Sequence, residues 1–170
     1  MPDLDPEQKH TEPSEHDRWQ ALEVRRPEDV RTSTGGPVPL GWQAEKYRQH
    51  AERLSNRDLP ADFPYEVERG TVDDVLAVLA LRVAMRRDIE SGRGSRVHDA
   101  ALMGATWTQI ADALELSPDE ARTVLREYAD GQHRLWNSYK RKPFGMDYEE
   151  YAAAVALCEL GDDEQEGDRG

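Results

Sequence analysis

An all-α fold with about six helices is predicted by three features of this 170-residue chain. Helix-start signatures stand at Thr71, Thr106, Ser117 and Asp147, and Gln109, Glu120 and Glu150 follow the last three at the capping-box spacing. Apolar residues recur at helical spacing, whereas strand-like alternation is confined to Tyr65-Glu66-Val67-Glu68, too short to build a sheet on. Pro and Gly fall between the periodic stretches, at residues 34–39, 60–64 and 143–145.

In chain order, residues 1–38 are rich in Pro, Glu, Asp, Ser and Gly and read as a disordered N-terminal tail. Within it, Arg18-Trp19-Gln20-Ala21-Leu22 can form a transient helical turn, either in a loosely packed tail or with its Trp and Leu docked on a partner. Residues 39–70 read as one helix, over 40–58, and a Pro-containing connector. Its stripe is Trp42, Tyr47, Ala51 and Leu54. A helical domain spans 71–160. Its first helix runs to about Ser91, and Val72, Val75, Leu76, Val78, Leu79, Leu81, Val83, Met85 and Ile89 spread over more than one face. Such a helix is buried on two sides, either as a central scaffold or as the face of a homodimer. Gly92-Arg93-Gly94-Ser95 is expected to break it, and a further helix runs from Ser95 to Met103 and stops at Gly104, a residue suited to a left-handed end. The last helix follows Asp147 through Tyr148, Tyr151, Val155 and Leu160, and 161–170 is a second disordered, acidic tail.

The stretch 106–128 carries the most specific pattern. Thr106 caps one helix and Ser117 the next, with Pro118 at its first position. Only Glu115 and Leu116 lie between the first helical pattern and the second cap, so the two helices must cross steeply. That is helix-turn-helix geometry, which can hold a helix in the DNA major groove. Ile110, Ala111, Leu114, Leu116, Ala121, Val124 and Leu125 form the expected inner face, and the two alanines are small where the helices cross. The second helix runs past Tyr128 either towards Trp136 and Tyr139 or to a break at Gly131. The expected core is Val75, Leu79, Val83, Trp107, Ile110, Leu114, Leu116, Val124 and Leu125. Trp107 reads as a core anchor, the alternative being a place near the DNA backbone.

Over residues 93–125 the chain resembles the helix-turn-helix superfamily of bacterial DNA-binding proteins. Gly104-Ala105-Thr106-Trp107-x-x-Ile110-Ala111-x-Ala113-Leu114 looks like small actinobacterial regulators and, more distantly, like the DNA-binding region of sigma factors. A high Arg-to-Lys ratio suits the GC-rich genomes of such organisms. One departure stands out: such proteins usually carry Gly where this chain has Glu115, because the turn often needs positive φ.

The inner face of the second helix leaves Asp119, Arg122, Thr123 and Arg126 on the outer one. Arg takes guanine bidentately, the Thr123 methyl can meet thymine, and Asp119 can read a cytosine amino group. The alternative is that Asp119 weakens DNA binding and that Arg122 and Arg126 pair with surface carboxylates such as Asp119 or Asp130. Thr106 and Thr108, at the start of the preceding helix, and Lys140, Arg141 and Lys142 beyond the second are the expected phosphate contacts.

Charge argues the other way. The net charge is −13. Residues 1–29 contribute −5, residues 147–170 contribute −8, and 30–146 are neutral overall. Such ends keep a protein soluble and compete with DNA for a basic surface. From Arg93 to Lys142 there are eight bases and seven acids, and strong DNA binders show a clearer basic face. Other chemistry is sparse. The five histidines lack metal-ligand spacing, and there is no Walker-type loop, Gly-x-Ser-x-Gly or His-Glu-x-x-His. Cys158, the single cysteine, sits among Ala and Leu as a core thiol and fits a reducing cytoplasm. Nothing resembles a signal peptide or a membrane span. No enzyme activity, metal or cofactor is therefore expected, and a cytoplasmic location is. Two functions remain: a sequence-specific regulator that binds double-stranded DNA, or a protein-interaction module whose acidic tails engage a basic partner such as a polymerase subunit, another regulator or a toxin-like protein, with DNA mimicry as a sub-case. A continuous positive patch around Arg122 and Arg126 favours the first. A patch neutralised by Asp119, Glu120 and Glu127 favours the second.

Overall fold

The computed structural model describes residues 12–138 and 144–162. Among them are six α-helices and no strand: α1 (Glu15–Ala21), α2 (Leu40–Ser55), α3 (Val72–Leu102), α4 (Trp107–Leu114), α5 (Pro118–Ser138) and α6 (Tyr148–Glu159). No helix among the described residues is long and apolar enough to cross a membrane. The chain divides into two compact units, Met1–Asp88 and Ile89–Gly170. The division falls inside α3.

The first unit corrects the expectation for residues 1–38. Residues 12–38 are folded, while 1–11 lie outside the described residues. Ser14 and Asp17 form a capping box that starts α1. Trp19 in α1 is fully buried and packs with Val24, Val38, Ala80 and Leu81. Its indole N–H donates to the Trp42 carbonyl at 3.3 Å. One cation gathers the carbonyls at the end of α1 and its cap. The Lys46 ammonium, 3% exposed as a residue, donates to the Trp19 carbonyl at 2.8 Å, to that of Gln20 at 3.2 Å and to that of Leu22. It also lies 4.5 Å from the centroid of the Trp19 ring. Burial, with Arg53 nearby, lowers its pKa to about 8. Mean composition hides this arrangement because a few apolar residues and one lysine organise an otherwise polar segment.

Helix α3 begins at a second polar knot. The Thr71 amide donates to Asp74 at 2.8 Å, and Nδ1 of His50 is 2.7 Å from the other carboxylate oxygen. Burial pushes Asp74 up, but the Thr71, His50 and Arg53 hydrogen bonds outweigh it and hold the pKa at about 2. The inward face of α3 in this unit is Ala77, Ala80, Leu81 and Ala84. Val75 and Leu79, expected in the core, are instead 42% and 55% exposed beside Val72 and Leu76, and Val83 is half-buried. The small side lets α3 approach Trp19, Val24 and Val38 closely; the bulky stripe is turned outward. Over residues 72–88 the helix is therefore buried on one side, not two.

In the second unit, Val97, Ala101, Trp107, Ile110, Ala111, Ala121, Leu125 and Cys158 form the main core, with Leu114 and Val124 partly buried against it. Leu116 is half-buried in the turn. Ala129, Met146 and Ala154 form a second cluster. The expected break at residues 92–95 does not occur, since α3 continues through it for 31 residues. A glycine inside a helix costs about 1 kcal/mol, too little to interrupt one that is otherwise well packed. Gly94 has a packing reason: a Cβ there would lie 2.5 Å from Cβ of Tyr128 in α5, so the absent side chain sets the approach of the two helices. Likewise α5 passes through Gly131 to Ser138. Gly104 ends α3 with φ +84°, as expected.

Candidate nucleic-acid interface

Helices α4 and α5 are joined by Glu115, Leu116 and Ser117. Thr106 caps α4 with extended backbone, and its hydroxyl accepts from the Gln109 amide at 3.2 Å while Gln109 Oε1 accepts from the Thr106 amide at 3.0 Å. Glu115 supplies the reversal at φ 56°, ψ 40°, the one non-glycine described residue with positive φ. The Leu116 amide then returns to the Ala111 carbonyl at 3.0 Å. The Ser117 amide and hydroxyl both donate to Glu120 at 2.8 Å, and those bonds hold the Glu120 carboxyl below its usual range.

A left-handed L-residue costs about 1–2 kcal/mol, of which roughly 0.5–1 returns as the greater chain entropy a glycine must lose. Glu115→Gly is therefore expected to stabilise the protein by about 0.5–1 kcal/mol in urea unfolding. A destabilised variant would place the turn in another conformation.

The site residues expected from sequence divide into three groups. Thr106 is 7% exposed and its hydroxyl is used in the cap, so it presents no free hydroxyl to a phosphate. Asp119, Thr123 and Arg126 are exposed, as expected. The Thr123 hydroxyl nonetheless bonds back to the Asp119 carbonyl at 2.9 Å. Arg122 departs from the expected outer position. Its side chain is 24% exposed and lies over the Trp107 ring, 5.4 Å from the centroid, and it donates to the Leu160 carbonyl at 3.3 Å and to Asp119 at 3.2 Å. The aromatic face and the end of α6 draw the guanidinium inward. Lys140, Arg141 and Lys142 lie outside the described residues.

The segment that meets these groups, residues 159–162, was not among the expected site residues. Glu159 Oε1 is 2.5 Å from Arg126. The Asp162 carboxylate accepts from the Trp107 amide at 2.8 Å, from the Thr108 amide at 3.4 Å and from the Thr108 hydroxyl. The Thr108 hydroxyl is the largest influence on the Asp162 carboxyl; burial, the next, opposes it, and the two amides and the Arg122 charge help to hold the carboxyl below its usual range. Amides at a helix start are natural donors to an anion. The acidic C-terminus was the available sequence signal; its pairing with particular donors was not readable without the α5–α6 packing. That packing also buries Cys158, and burial raises its thiol pKa.

The outer surface of α5 carries Asp119, Glu120, Thr123 and Glu127, all exposed. No group of three or more metal-ligating side chains is present among the described residues. No family model, curated protein or solved structure matches the chain.

Proposed function

We propose that the protein is a helix-turn-helix regulator that binds double-stranded DNA through the start of α4 and the side of α5 carrying Arg122 and Arg126. One observation supports this reading most strongly. Among the described residues, four of the groups that such a protein can turn towards phosphate hold oxygen acceptors: Trp107 and Thr108 on a carboxylate, Arg126 on a carboxylate, Arg122 on a carboxylate and a carbonyl. A phosphodiester offers the same chemistry with a fixed charge. Selection from a random duplex pool at low salt, beside a sizing measurement for the expected homodimer, tests it. Arg126→Ala is expected to cost about 1–3 kcal/mol on the selected site and relax one base position, while Lys140→Ala weakens all duplexes alike. Failure to retain any duplex at low salt overturns the reading.

A second reading is favoured by the acids at Asp119, Glu120 and Glu127: the same surface would contact a basic protein rather than DNA. It becomes the better one if no duplex is retained.

A further inference from the structure

We infer that residues 159–162 form an intramolecular mask over the DNA-contacting groups, and that DNA binding displaces it. The inference rests on the DNA-binding reading above and adds its regulation.

Three of four consecutive residues engage three separate donor sets. Glu159 takes Arg126, the Leu160 carbonyl takes Arg122, and Asp162 takes the start of α4. The root of the segment is fixed. Ala154 and Cys158 are buried, and the Trp107 indole N–H holds the Leu157 carbonyl at 3.1 Å. Beyond Glu159 the chain leaves the helix, with Leu160 extended at φ −68°, ψ 138°. The segment is thus anchored at one end while its carboxylates stand at the surface, with the Glu159 side chain 69% exposed and that of Arg126 48%. Surface pairs of this kind are weak and screened by salt, which makes the contact reversible. A duplex presents many phosphates to the same donors and competes for them collectively. Acidity is therefore concentrated where it tunes affinity, and it adds to whatever the rest of the −13 charge does.

The test uses the full chain and a duplex of random sequence at low salt. The double substitution Glu159→Gln with Asp162→Asn keeps the shape of both side chains and removes both charges. It is expected to bind about fivefold more tightly than wild type, with the gain shrinking as salt rises. A control carries Asp62→Asn with Glu66→Gln, exposed positions in the first unit with the same loss of charge, and is expected to gain less than about twofold. Amide NMR of wild type supplies a second measurement: the Trp107 and Thr108 resonances move when duplex is added. Equal binding by wild type and the double variant removes the mask and leaves the DNA-binding reading standing. An equal gain in the control reduces the effect to net charge and also overturns the mask, as do unmoved Trp107 and Thr108 amides with duplex bound. Absence of binding in every chain overturns the DNA-binding reading, and the mask falls with it.

Discussion

Trp19→Ala is expected to destabilise the first unit by about 3–5 kcal/mol, the range for removing a large buried aromatic. The side chain is fully buried, so the substitution leaves a cavity among Val24, Val38, Ala80 and Leu81. It also leaves the Trp42 carbonyl without the indole N–H and removes the aromatic face beneath the Lys46 ammonium. That ammonium is buried against α1 carbonyls and has little access to water, so loosening α1 affects it directly. Native-state hydrogen exchange then distinguishes two outcomes. Loss of protection over residues 15–24 and in α2 together marks a docked segment that belongs to the core. A change below about 1 kcal/mol with unaltered α2 protection would return this segment to the tail that its composition suggests.

That contrast shows what was legible in the sequence. Capping chemistry was legible because it is local: Thr106 with Gln109, Ser117 with Glu120 and Asp147 with Glu150 sit three residues apart and pair as expected. The inner face of the α4–α5 pair was legible because two short helices leave little freedom in what Ile110, Ala111, Ala121 and Leu125 can face. The requirement for positive φ at Glu115 was also visible, and the backbone adopts it without glycine. The orientation of α3 was not. Its apolar residues cover most of its circumference, so their periodicity does not select a side. Close approach selected the alanines and turned Val75 and Leu79 outward. The glycines at 92 and 94 were misread for a related reason: at Gly94 the deciding neighbour is Tyr128, far away in sequence. Arg122 belongs with these cases. Helical phase placed it outside, but Trp107 and the Leu160 carbonyl are tertiary partners that phase does not reveal. Of the candidate site, Thr108, Arg122 and Arg126 were legible as donors and Asp119 as a local acceptor for Arg122, whereas the acceptors on residues 159–162 were not.

Trp107→Ala is the corresponding test in the second unit, with an expected loss of about 3–5 kcal/mol. The ring is fully buried and joins three elements: it sits at the start of α4, donates to Leu157 of α6 and supports the Arg122 guanidinium of α5. Truncation therefore creates a cavity and takes the indole N–H from the Leu157 carbonyl, leaving it the Leu160 amide near the end of α6. Trp107→Phe separates these contributions. It retains an aromatic face for Arg122 and most of the volume, and loses the hydrogen bond, so a smaller loss of roughly 1–3 kcal/mol is expected. Thr123→Ala, on the exposed surface of α5, provides the baseline and should lie within about 0.5 kcal/mol of wild type. Urea unfolding of the three variants checks the order. If Trp107→Ala fell as close to wild type as Thr123→Ala, the indole would not be the anchor of this unit. The packing that brings Arg122 and residues 159–162 to the start of α4 would then have to be rebuilt around another residue.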